Sequence, residues 1–280
     1  MYAKYLKDIK LRLFDVTLRD GLQSIPKVYS LVEKKIIFTN ILRKHKPSAI
    51  EIGSIVSPKI LPQMENSIQL YKDIYSFKDK VKEFPEIYML TPTLKSLKIA
   101  STHNINNLSF ITSVSDDFQK KNINKNLCET KKELEYMMNE VSNIPKKKVK
   151  LYISCISECP ISGLVNNMTI VNEILYYYYT YGDILDELCL SDTCGTLKFD
   201  NFRFIIDELV KREIDVSKLG LHLHNHPIRR ANLDAIIIYA MKNDIYRYDV
   251  SNMPEIGGCK ITIENTNGNL SYEQIMNPVV

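Results

Sequence analysis

The chain has 280 residues, of which 45% are hydrophobic and 25% charged, and its formal net charge is +4. That apolar mass supports one large domain or two smaller ones, and the weak, scattered positive charge gives no case for a nucleic-acid partner. No apolar run is long enough to span a membrane, Met1 to Lys10 carry no signal-peptide core, and the six cysteines form no CxxC pair. A cytoplasmic protein with free thiols and no membrane partner is expected.

Short β-rich apolar runs recur along the chain. They are Leu11–Val16, Ala49–Gly53, Ile87–Thr91, Asn107–Thr112, Val149–Ser154, Glu187–Ser191, Leu219–His224 and Tyr246–Ser251. Between most of them lie stretches with helical spacing: Glu33–Arg43, Leu94–Ala100, Lys131–Val141, Val171–Tyr181, Phe202–Lys211 and Arg230–Met241. Strand–helix alternation predicts a parallel sheet, and eight such units in roughly 250 residues predict a (β/α)8 TIM barrel. A doubly wound open sheet is the competing architecture, but no GxGxxG follows any strand. Without a linker or a break in composition, a single domain over 1–280 is expected. Lys146-Lys147-Lys148 reads as a solvated loop before a strand, and the run from Tyr176 to Tyr179 as helix packing.

In such a barrel the functional residues lie at the C-terminal ends of the strands. The polar residues there form a series: Arg19-Asp20-Gly21 after strand one, Glu51 on strand two, Ser191-Asp192-Thr193 after strand six, and His222 with His224 on strand seven. Gly257-Gly258-Cys259 and then Asn265 to Asn269 follow strand eight. Side chains alternate across a strand, so His222 and His224 share one face. Two imidazoles so placed fit a metal ion, or a pair of rings satisfied by hydrogen bonds. Buried ion pairs are the bland reading of the whole series, since unpaired polar groups are costly inside a core. A metal-centred site accounts for more of the residues at once.

These motifs resemble those of the 3-hydroxy-3-methylglutaryl-CoA lyase family, within the wider pyruvate carboxyltransferase-like group of metal-dependent lyases and Claisen-type synthases. Asp15-Val16-Thr17-Leu18-Arg19-Asp20-Gly21-Leu22-Gln23 is similar to the group's opening motif. Val56-Ser57-Pro58-Lys59, Leu90-Thr91-Pro92-Thr93, Lys120-Lys121-Asn122-Ile123-Asn124, Cys159-Pro160 and Gly268-Asn269-Leu270 follow the lyase pattern in order. The resemblance runs from about Leu11 to Leu270.

The resemblance implies a divalent cation, Mg or Mn, held by Asp20, His222, His224 and Asn269; oxygen and imidazole donors without thiolate suit such ions. It implies an acyl-CoA substrate whose tertiary hydroxyl loses its proton, so that the adjacent C–C bond breaks to a ketone and the enolate of acetyl-CoA. Arg19 would stabilise the enolate oxygen and, with Gly257 and Gly258, bind substrate, while Glu51 and Asp192 would orient Arg19 and the ligands. Cys259, on a loop freed by two glycines, would transfer a proton. A homodimer is compatible with the resemblance. Cys155, Cys159, Cys189 and Cys194 are expected to be packing residues.

Several positions depart from the family pattern. Asn225 stands where the family has Asp and Ser191 where it has Gly, Pro254-Glu255 precede the glycine hinge, and only Tyr272–Met276 is expected to cover the seam between strands eight and one. A shortened C-terminal region is thus expected. A barrel that binds metal or ligand with little turnover, and a Claisen-type synthase, are the alternatives to an active lyase.

Overall fold

The computed structural model describes residues 11–144, 146–225, 229–253, 256–258, 261 and 268–279. Its centre is a closed barrel of parallel strands: β1 (Arg12–Asp15), β2 (Ala49–Ser54), β3 (Glu86–Leu90), β4 (Asn107–Ser113), β5 (Lys148–Ser154), β6 (Glu187–Ser191), β7 (Leu219–His222) and β8 (Arg247–Val250). Neighbours in the barrel are neighbours in the chain, and β1 closes it by pairing with both β8 (Phe14 opposite Asp249) and β2 (Phe14 opposite Ala49). All eight expected strands are present, with ends shifted by one or two residues. The strand interiors are almost wholly buried because helices cover the outside while side chains fill the inside.

The helices are α1 (Leu31–Lys44), α2 (Ser67–Tyr75), α3 (Leu94–Thr102), α4 (Asp116–Ile123), α5 (Leu127–Ser142), α6 (Asn167–Tyr181), α7 (Phe199–Lys211), α8 (Arg230–Lys242) and α9 (Tyr272–Met276). Several begin on local signals that fix where the chain turns from loop to helix. Ser30 with Glu33, Asn126 with Glu129, and Ser271 with Gln274 form reciprocal capping boxes. Two helices were not among those expected. α2 starts without a side-chain cap, and α4 is so polar that only Phe118 and Gln119 are buried.

Three local expectations need adjustment. β7 ends at His222 rather than His224, because the chain leaves the sheet and His224 instead makes an antiparallel bridge to Asn269. Lys148 is the first residue of β5 and pairs with Glu86, so the lysine run is only partly loop. In α6, Tyr177 is buried with its hydroxyl 2.8 Å from Thr112 Oγ1, while Tyr179 is exposed.

The seam between β8 and β1 is covered by α9. Tyr272 donates to Asp15 Oδ2 at 2.6 Å, and its ring stacks on His45 at 3.8 Å. Ser251 N donates to Leu270 O at 2.7 Å, tying the end of the chain to the strand it follows. Among the described residues no helix is long and apolar enough to cross a membrane.

Candidate metal-centred active site

Directly after β1 the backbone winds through a π-helical turn, Thr17–Gly21, whose residues are all buried. This turn carries Arg19 and Asp20 into the C-terminal mouth of the barrel. Arg19 Nε donates to Glu51 Oε2 from β2, and Nη1 donates to Asp20 Oδ1 at 2.5 Å. Tyr152 on β5 also reaches Glu51 Oε2, at 3.3 Å, and its ring centroid lies 5.2 Å from the Arg19 guanidinium carbon. Burial opposes the charge on Arg19, but Glu51 and Asp20 outweigh it and raise its pKa above the ordinary value. Burial and the negative charges of Asp249 and Glu51 likewise raise the Tyr152 phenol, which stays protonated.

The two histidines meet Asp20 on one oxygen. His222 Nε2 and His224 Nε2 are each 3.8 Å from Asp20 Oδ2. Their other ring nitrogens are engaged: His222 Nδ1 lies 2.9 Å from Asp249 Oδ2, and His224 Nδ1 lies 2.8 Å from the Asp192 carbonyl. A carbonyl oxygen only accepts, so His224 donates from Nδ1 to Asp192 and its Nε2 faces Asp20; burial opposes charge on the ring, but Asp20 and Asp192 outweigh it and raise its pKa above the ordinary value. Burial raises the Asp20 carboxyl, but Arg19 and the two imidazoles hold it well below the usual carboxylate range. It is therefore an ionised oxygen donor.

Together, Asp20, His222 and His224 offer three buried ligand atoms within 4.8 Å of one another. Among the described residues, His224 Nε2 and both polar side-chain atoms of Asn269 are buried without a hydrogen-bond partner. Asn269 is held beside His224 by their bridge and by Asn225 N donating to Gly268 O at 2.6 Å. Buried donors and acceptors left unpaired are expensive, and a hard cation would satisfy this set of imidazole nitrogens and oxygens. The residues fit a divalent ion.

Asp192 reaches the ligand set through its backbone rather than its carboxylate. Its carboxylate accepts from Thr196 N at 3.1 Å and Leu197 N at 3.0 Å, closing the turn after β6, and it is the Asp192 carbonyl that orients His224. Burial raises the pKa of that carboxyl. Glu51 stands against Arg19, as expected. Gly257 and Gly258 reach the site: Gly258 N donates to Asp20 Oδ2 at 2.7 Å. Cys259 lies outside the described residues, as do Asn265, His226, Pro254 and Glu255.

Tyr152 and Asp249 are site residues that sequence reasoning missed. Asp249 is a buried carboxylate inside β8, which was the available signal; Tyr152 follows Lys148 and Lys150 on β5 and carries no such mark. Beside the cluster opens a cavity of about 290 Å³. Arg19, Asp20, Tyr152 and both histidines line it on the polar side; Ile60, Ile111 and Phe118 supply apolar surface, and Lys121 borders it. An apolar cavity with a few convergent polar groups is the usual form of a small-molecule site.

The profile of the HMGL-like family matches residues 10–228. The human cytoplasmic 3-hydroxy-3-methylglutaryl-CoA lyase is 28% identical over 270 residues, covering 95% of this chain and 68% of that protein. A Pseudomonas aeruginosa 3-hydroxy-3-isohexenylglutaryl-CoA/hydroxy-methylglutaryl-CoA lyase is 28% identical over 274 residues, covering 95% and 84%. The crystal structure of the Bacillus subtilis HMG-CoA lyase superposes with a TM-score of 0.81 at 27% identity, covering 95% of this chain and 84% of that one.

Proposed function

The chain belongs to the HMGL-like family, and from that premise we propose that it is a divalent-metal-dependent carbon–carbon lyase acting on a 3-hydroxyacyl-CoA. The preferred substrate is 3-hydroxy-3-methylglutaryl-CoA, cleaved to acetyl-CoA and acetoacetate. The observation that carries this reading is the convergence of His222, His224 and Asp20 on one point, with the Arg19–Glu51 pair alongside and the cavity opening onto both.

The ion, when bound, supplies Lewis-acid polarisation of the substrate's oxygens. The chain's own residues do the rest. Glu51 and Asp20 take the Nε and Nη1 donors of Arg19, which fixes the guanidinium as a charged group at the cavity wall. There it stabilises the enolate oxygen as the C–C bond breaks, and because it is already held in place it costs no reorganisation in the transition state. Ile111 and Phe118 exclude water from the acyl chain. Cys259, next to Gly258 in the chain, delivers a proton to the carbon of the enolate, and the proton lost from the substrate's hydroxyl restores its thiol.

The Pseudomonas relative is named for a branched isohexenyl substrate as well as the methyl one, so the acyl group is best tested as a series. Purified protein with Mg or Mn should release acetyl-CoA from 3-hydroxy-3-methylglutaryl-CoA, read with an assay coupled to acetyl-CoA or to acetoacetate. Metal binding by folded protein without cleavage of any 3-hydroxyacyl-CoA would replace the lyase by a metal- or ligand-binding barrel.

A further inference from the structure

We propose that Asp249, braced by Lys150 and Glu187 in the barrel interior, is the positioning residue for His222: it holds the ring with its proton on Nδ1 and its Nε2 lone pair facing Asp20. This rests on the divalent-metal reading of the site.

The bracing groups form a stack beneath the mouth. Lys150 Nζ donates to Asp249 Oδ1 and lies 2.9 Å from Glu187 Oε1. Lys150 and Asp249 side chains are each only 1% exposed. The ammonium also sits 3.7 Å from the centroid of the Phe14 ring, which closes it in from β1. Room for Glu187 comes from β7: a Cβ on Gly220 would stand 2.2 Å from Glu187 Oε1. Gly220 is two residues before His222, on the same face of the strand.

Three carboxylate, thiol and carboxylate atoms of Glu187, Cys189 and Asp249 lie within 4.8 Å of one another, a spacing that by itself suits a second metal. The Lys150 ammonium bonded among them gives that cluster another role, because it supplies the positive charge the carboxylates need. Buried ions of this kind seldom add net stability over well-packed apolar residues. What the stack does supply is direction. One Asp249 oxygen is committed to Lys150, so the other is left for His222 Nδ1 at 2.9 Å. A carboxylate has no proton to give, and a neutral imidazole has one N–H, so the proton must sit on Nδ1.

The same reasoning says what an amide would do. In Asp249→Asn the ammonium demands the amide oxygen, which turns the NH2 toward His222. The ring must then accept at Nδ1 and carry its proton on Nε2, where the lone pair is needed. The exchange is nearly isosteric, so loss of the tautomer is separable from loss of the fold.

Nitrogen-15 NMR of histidine-labelled apoprotein at alkaline pH reads the tautomer directly, with the His222 signal assigned by its loss in His222→Gln. The wild type should show Nδ1–H and Asp249→Asn should show Nε2–H. Mn titration followed by electron paramagnetic resonance should show affinity falling about 10- to 100-fold in Asp249→Asn. A wild-type ring carrying its proton on Nε2 overturns the proposal, and so does a folded Asp249→Asn with unchanged Mn affinity. Should Asp249→Asn fail to fold, the wild-type spectrum decides alone. Neither readout uses substrate, so failure of the lyase assay and failure of this positioning role are told apart.

Discussion

Gly258 donates its backbone N–H to Asp20 Oδ2 at 2.7 Å, on the same oxygen that stands 3.8 Å from His222 Nε2 and from His224 Nε2. Gln23 reinforces the link, donating at 2.7 Å to Asp20 Oδ1 and at 3.2 Å to the Gly258 carbonyl. Gly258 is thus fastened to the carboxylate at the centre of the site. Position of the Gly257-Gly258 backbone and geometry of the ligand set are coupled through one side chain.

Gly257 is where that coupling is most exposed to substitution. Its φ of +149° is strained for any residue with a side chain, and a Cβ there would lie 2.3 Å from Asn269 Nδ2. Gly257→Ala should push Asn269 away from the site and lower Mn affinity by about tenfold or more. Calorimetric titration of the folded variant checks this, and wild-type affinity would remove Asn269 from the ligand set.

Cys259→Ser tests the proton-transfer role without touching the ligands. Turnover of 3-hydroxy-3-methylglutaryl-CoA should fall by about 100-fold or more, the range typical of a lost general acid, while Mn binding is unchanged. Equal kcat in the two proteins would return Cys259 to a packing role.

Asp15, fully buried under α9, predicts a pH-dependent stability. Burial raises its pKa from 3.8 to about 6, against the lowering effect of hydrogen bonds from Tyr272 and Thr17. Between those two values the folded protein binds more protons at this site than the unfolded chain does. The stabilising contribution is therefore complete below 3.8 and is lost as pH rises through about 6. Asp15→Asn removes this slope while its amide can still serve both partners. Its stability relative to wild type should rise by up to about 3 kcal/mol between about pH 4 and pH 7, at 1.36 kcal/mol per unit. Urea unfolding across that range checks it; parallel curves for the two proteins would mean that Asp15 titrates normally.

Strands were legible because β-rich apolar runs of barrel length stand out against amphipathic helices; Glu187–Ser191 could be read to the residue and Ala49–Ser54 to within one. α4 was not legible: DDFQKKNI has little apolar periodicity, and its start depends on Ser115 accepting from Phe118 N. Arg19, Asp20, Glu51 and the histidine pair were visible as charged or imidazole groups at strand ends. Asp192 was visible too, but whether its carboxylate or its carbonyl faces a histidine depends on how the turn after β6 closes.

The order of the strands, the barrel and most of the polar groups at its mouth were determined by the sequence alone, since they follow from local periodicity and from which residue types end each strand. Pairings across the barrel were decided only by the tertiary structure. Lys150 meets Asp249, 99 positions away, and Asp249 in turn meets His222, because barrel closure brings β5, β6, β7 and β8 around one interior. A charged residue inside an apolar strand announces that it must have a partner, because burial without one is too costly. Which partner it takes, and through which atom, is a property of the closed sheet and its register, and no local pattern carries it.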